Sequence, residues 1–153
     1  MLAEAGHAVV GVDINAAAIE AARRNATGLQ TCQEPLFVVA SALAMPFKDG
    51  SFGGAYAFEV LEHIWPVDQF AVHKGLQRLL RQSGCLVATV PMERGCYNET
   101  HVMFFTPELL RSMCVLYHWR VRFCSLVSVP ETHGGGQQIA LMAQPSCYFR
   151  KRV

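Results

Sequence analysis

A chain of 153 residues is long enough to bury a real core and too short for a comfortable second domain, so a single domain spanning residues 1–153 is expected. Apolar residues make up 52% of it and charged residues 16%, which excludes disorder and favours a sheet buried on both faces. A formal charge of +1 leaves no electrostatic footprint for nucleic acid, and the one basic cluster, Arg150-Lys151-Arg152, reads as a solvated tail.

Residues 1–6 read as the last turn of a helix closed by Gly6, and residues 8–12 as a strand with a near-continuous apolar run. Asn15 is placed to cap an alanine-rich helix that runs to about Asn25, with Ile19 and Ala22 on one face. Phe37–Ala40 is a second short strand, followed by an irregular stretch broken by Pro46 and Gly50. Ala55–Val60 is a third. Leu61–His63 starts a helical turn interrupted by Pro66, and Val67–Arg81 continues as an amphipathic helix with Phe70, Leu76, Leu79 and Leu80 inward. Gly84 is expected to end that helix, with Cys85–Val90 as a fourth strand and Pro91–Val102 as a long loop. Thr106 caps a helix that has Pro107 at its first position and runs to about Tyr117. Arg120–Val127 and Gln138–Ala143 close the chain as two strands. Alternating strands and helices imply a mostly parallel α/β sheet of Rossmann-like type, helices on both faces, and the last pair implies a C-terminal antiparallel hairpin.

Six cysteines show no C-x-x-C pair and no zinc spacing, and several sit in apolar runs where a thiol packs as a small hydrophobe. A cytoplasmic protein is therefore expected. No stretch reaches the roughly 18 apolar residues of a membrane span, and Met1–Ala8 lacks the basic start and apolar core of a signal peptide. Val9–Asp13 matters most for function. Parallel sheets that bind a nucleoside place an acid at such a strand end to hold ribose hydroxyls, which makes Asp13 the candidate; a carboxylate favoured by the helix dipole is the plainer alternative.

In order and spacing, four segments resemble class I S-adenosylmethionine-dependent methyltransferases of the ubiquinone-pathway and small-molecule type, from residue 1 to about 144. Val9–Asp13 resembles the family's second strand with its ribose acid. Ala40-Ser41-Ala42-Leu43-Ala44-Met45-Pro46-Phe47, with Asp49, Ser51 and Phe52, resembles the segment written G-D-A-x-x-L-P-F-x-D-x-S-F-D. Phe58-Glu59-Val60-Leu61-Glu62-His63 resembles the end of the fourth strand, and Phe105-Thr106-Pro107-Glu108-Leu109-Leu110 the helix before the terminal hairpin. Ser41 and Gly53 stand where that family usually has aspartates. The family's first strand and glycine-rich turn have no counterpart, which implies an N-terminally truncated copy with weakened cofactor binding.

The resemblance implies S-adenosylmethionine as cofactor, held by Asp13, Ile14, Ser41, Ala42, Leu43 and Glu59, and a small-molecule acceptor, with no DNA or membrane partner. A second copy or a partner chain completing the sheet is the implied assembly. His63 is the implied catalytic residue, as general base or as lining of the acceptor pocket. A turn that becomes helical at residue 60 would set Glu59, Glu62 and His63 on one face through the i, i+3, i+4 spacing. In the ubiquinone-pathway and small-RNA enzymes the E-x-x-E-H pattern goes with a divalent cation, for which His101 would be a fourth ligand; Glu62 as a helix cap is the structural alternative, and no metal ligand is assigned. Trp65, Tyr97, Phe104 and Phe105 are candidate pocket walls, or else cover for the sheet. Gly134-Gly135-Gly136 is a hairpin turn beside an exposed His133, and no cysteine has the neighbours of a nucleophile. Two rival functions stand beside methyl transfer: a nicotinamide-dependent dehydrogenase, whose dinucleotide ribose Asp13 would also serve, and a non-catalytic remnant or partner-binding subunit.

Overall fold

The computed structural model describes residues 2–31, 33–92, 99–128 and 137–146. The chain forms two compact units, Met1–Pro46 and Phe47–Val153. His133, the glycine triplet, Tyr97, the basic tail and Cys32, Cys96 and Cys147 lie outside the described residues.

In the first unit, Gly6 closes a helical turn as its sequence suggests. It adopts φ +85°, and the pair of bonds from Gly6 N–H to the Ala3 carbonyl and from His7 N–H to the Leu2 carbonyl satisfies the last carbonyls of the turn. Strand β1 (Val10–Asp13) pairs in parallel with β2 (Leu36–Val39), Val10 opposite Leu36 and Asp13 opposite Val39. Helix α1 (Ala16–Ala26) connects them and buries Ile19, with Asn15 capping through Oδ1, which accepts from Ala17 N–H at 2.9 Å.

The second unit is a four-stranded mixed sheet of order β3-β4-β6-β5. Strand β3 (Phe52–Phe58) runs parallel to β4 (Leu80–Pro91), and α2 (Pro66–Leu79) makes the crossover between them. Strand β6 (Gln137–Pro145) is antiparallel to both β4 and β5 (Trp119–Ser128), which confirms the terminal hairpin. Helix α3 (Pro107–Leu116) precedes the hairpin, with Thr106 Oγ1 accepting from Leu109 N–H as its cap. Alternate residues of the central strands, Leu86, Ala88 and Val90 on β4 and Ile139, Leu141 and Ala143 on β6, are almost wholly excluded from solvent. The opposite parity is only half-buried at Val87 and Thr89, and Tyr56 and Phe58 are exposed, so burial on both faces does not hold here.

Two boundaries differ from the sequence reading. The crossover helix stops at Leu79, because Leu80 swings to extended backbone and buries its side chain completely. Gly84 lies within β4, where the β3 and β4 register shifts; a Cβ there would sit 3.0 Å from the Arg81 carbonyl oxygen and 3.1 Å from that of Gly53, so close backbone approach explains the glycine. The inward face of α2 is Gln69, Val72, His73 and Leu79, whereas Phe70 is exposed and stacks edge-on to Tyr117 at 5.9 Å. The Phe47–Phe52 segment is secured from α2: Arg78 donates to the Phe47 carbonyl and to Asp49 Oδ1, both at 2.7 Å.

Candidate active site

In the first unit, the residues singled out by sequence gather past the carboxyl ends of β1 and β2, which is where parallel sheets bind ligands. The Ala40 N–H donates to the Asp13 carbonyl at 3.0 Å and ties the two strand ends together. Asp13 is exposed, and its Oδ1 accepts from Asn15 N–H at 2.7 Å. That bond opens the turn into α1 and leaves Oδ2 for a ligand, so the helix-start role and the ribose role are compatible. Ile14 is 74% exposed and offers an apolar surface beside the acid. Ser41 closes a turn on itself: its Oγ accepts from Leu43 N–H at 3.2 Å and its carbonyl from Ala44 N–H at 3.0 Å. Ala42 is half-buried, and Leu43 is exposed.

In the second unit, β3 ends abruptly at Glu59, a non-glycine residue at φ +52°. Two bonds from β4 impose that conformation. Glu59 N–H donates to the Thr89 carbonyl at 3.0 Å, and Thr89 Oγ1 donates to Glu59 Oε1 at 3.0 Å. The chain then makes a single 3₁₀ turn, Leu61–His63, rather than an α-helix. The expected common face is therefore not formed: Glu62 and His63 are brought together, while the Glu59 carboxylate is engaged by Thr89.

Glu62 is fully buried, and neither carboxylate oxygen has a hydrogen-bond partner. Burial pushes its carboxyl up to about 7, reinforced by the charge of Glu59 and opposed by its own backbone N–H and by His63. Its backbone carbonyl accepts from Val102 N–H at 2.9 Å and Met103 N–H at 3.2 Å, so the segment before α3 lies along the turn. His63 Nδ1 is 3.1 Å from the Thr100 carbonyl oxygen, a pure acceptor, which places the proton on Nδ1 and the lone pair on Nε2. That Nε2 lies 3.9 Å from Glu62 Oε1. The His101 ring meets the His63 ring edge-on at 4.9 Å, and His101 Nδ1 is buried without a partner.

Gln69 is a site residue that sequence reading missed. Its Nε2 donates to the Leu61 carbonyl at 2.7 Å and the Ile64 carbonyl at 3.0 Å, clamping the turn from α2. An amide at an inward helical position is the signal that marks it. Of the candidate pocket walls, Trp65 and Phe104 are exposed and Phe105 is core. Burial pushes the Cys114 thiol up to about 12, so that side chain packs as a neutral hydrophobe.

A family described as "Methyltransferase domain" matches residues 1–88. O-methyltransferase rstn1 of Aspergillus nomiae is 29% identical over 137 residues, covering 89% of this chain and 52% of that protein. An O-methyltransferase of Pyrenophora dematioidea is 29% identical over 108 residues, covering 67% of this chain and 40% of that protein. The chain thus spans about half the length, or less, of these curated relatives. Among solved structures, a SAM-dependent methyltransferase from Methanosarcina mazei superposes with a TM-score of 0.81 at 18% identity, covering 95% of this chain and 85% of that one. The 1,6-didemethyltoxoflavin-N1-methyltransferase of Burkholderia thailandensis, solved with 1,6-didemethyltoxoflavin and S-adenosylhomocysteine bound, gives 0.69 at 20% identity, covering 92% and 62%.

Proposed function

Because the chain belongs to the methyltransferase-domain family, whose match runs through residues 1–88, we propose that it transfers the methyl group of S-adenosylmethionine to a nucleophilic atom of a small molecule. The family match carries this reading, and the exposed carboxylate of Asp13 at the end of a parallel strand supports it. Asp13 accepts the two ribose hydroxyls, Ile14 lies against the adenine, and Ser41, Ala42 and Leu43 line its edge.

In the reaction, a lone pair of the acceptor forms a bond to the methyl carbon as the carbon–sulfur bond breaks, leaving a neutral thioether. The sulfonium is already an activated leaving group, so alignment of donor and acceptor is the main demand on the protein. The acceptor's proton must also leave, and His63 is the catalytic residue on the acceptor side. Its Nδ1–H is engaged by Thr100, so Nε2 is the nitrogen that acts there.

Calorimetric titration with S-adenosylhomocysteine tests the proposal directly. Binding is expected, and Asp13→Ala should weaken it at least tenfold, since two charge-assisted hydrogen bonds are worth about 1.5–3 kcal/mol each. A folded protein stabilised by NAD but not by S-adenosylhomocysteine would favour the dehydrogenase reading. One that binds neither would favour a non-catalytic role.

A further inference from the structure

We propose that Gln69 is a positioning residue for the acceptor side of the site, its buried amide holding both walls of the seat that fixes the His63 ring. The side chain is wholly excluded from solvent. Its Nε2 donates to the Leu61 and Ile64 carbonyls, which bracket Glu62 and His63, and lies 3.6 Å from Met103 Sδ. Two of these three neighbours are carbonyl oxygens, which only accept, so the nitrogen of the amide and not its oxygen must face the turn. Gln69 starts from a fixed point, since its own N–H donates to the Trp65 carbonyl at 3.2 Å in the first turn of α2.

Each wall reaches His63 by its own route. One is the 3₁₀ turn Leu61–His63, a geometry with weak internal hydrogen bonds, and Val60 before it offers no side-chain cap. The other is the segment before α3: Val102 and Met103 donate to the Glu62 carbonyl, and Thr100 presents its carbonyl 3.1 Å from His63 Nδ1. The His63 side chain is 38% exposed, so packing alone does not hold the ring. If turn and segment parted by about 0.5 Å, the Thr100 contact would pass out of hydrogen-bond range. An amide that only satisfied two carbonyls would stabilise the turn and leave the proton of His63 where it is; one that also grips Met103 governs which ring nitrogen carries it. The role in methyl transfer rests on the proposed function, whereas the holding of the ring does not. In that reaction Gln69 touches neither donor nor acceptor but keeps the lone pair of His63 Nε2 in place, where a shift of about 1 Å can cost on the order of a hundredfold in rate.

Two-bond nitrogen–proton correlation spectra of the whole chain, labelled at histidine and held at mildly alkaline pH where the imidazole is neutral, are the test. Calorimetric titration with S-adenosylhomocysteine runs beside them, and His63→Ala identifies the signal. Wild type is expected to show His63 in the Nδ1–H form. In Gln69→Leu the share of that form should fall at least twofold, with S-adenosylhomocysteine affinity within twofold of wild type. Gln69→Met also lacks a donor and should behave alike; it replaces Gln69→Leu if circular dichroism shows the latter unfolded, and the wild-type spectrum stands without either. A folded variant that is less stable to urea yet keeps the wild-type His63 signal would reduce Gln69 to a structural part and overturn the proposal. A wild type with the His63 proton on Nε2 would do the same. Release of the ring by Gln69→Leu in a protein that ignores S-adenosylhomocysteine would retain the coupling and reject the methyl-transfer reading.

Discussion

Asp13 shows how far a single residue can be read from sequence. A carboxylate after a short apolar run and before a capping asparagine has its position set by local chain chemistry, and the structure places it at the strand end as expected. Glu59 was not legible in the same way, since its conformation depends on Thr89, thirty residues further on. Buried polar residues share that dependence. Trp119 Nε1, which can only donate, bonds to His73 Nδ1 at 3.0 Å, so the neutral ring must carry its proton on Nε2. Burial pushes His73 down to about 4 from 6.5. The unfolded chain therefore takes up a proton in that window that the folded chain refuses. Stability should be fully present above pH 6.5 and fall as pH drops toward 4, by on the order of 3 kcal/mol from this group. Urea unfolding of wild type and His73→Gln at several pH values checks it: the variant should lose less stability over that interval.

At the scale of elements, local signals succeeded and distant ones failed. Asn15 and Thr106 both cap as their sequences suggest, because a cap is decided within four residues. Removing one by Thr106→Ala should cost about 1 kcal/mol in chemical denaturation while leaving cofactor affinity within twofold. The end of α2 was misplaced because nothing near Leu79 breaks a helix; burial of Leu80 in the sheet overrides propensity there. Gly84 carried the opposite error, a glycine read as helix punctuation that in fact permits two strands to approach. The 3₁₀ turn at Leu61–His63 is a subtler case. Its three residues satisfy helical spacing on paper, yet the amide of Gln69 fixes a tighter path, and that path presents Glu62 to His101 instead of to Glu59.

For the molecule as a whole, the alternation of strands and helices and the closing hairpin were readable, because each depends on period and on connection length. The order of strands was not, as it is decided by pairings far apart in the chain. The ladder between β4 and β6 joins Leu86 to Ala143 and Pro91 to Gln138, whereas β5 and β6 are sequence neighbours. Closing a loop of that size costs on the order of 3–4 kcal/mol of chain entropy before any contact repays it. A nascent polypeptide leaving the ribosome would thus carry one bare rim of β4 until β6 has been made. A polypeptide ending at Ser128 is expected to emerge as aggregate, and recovery of that product as a soluble, cooperatively unfolding species would contradict the late arrival of β6 as the event that seals the sheet.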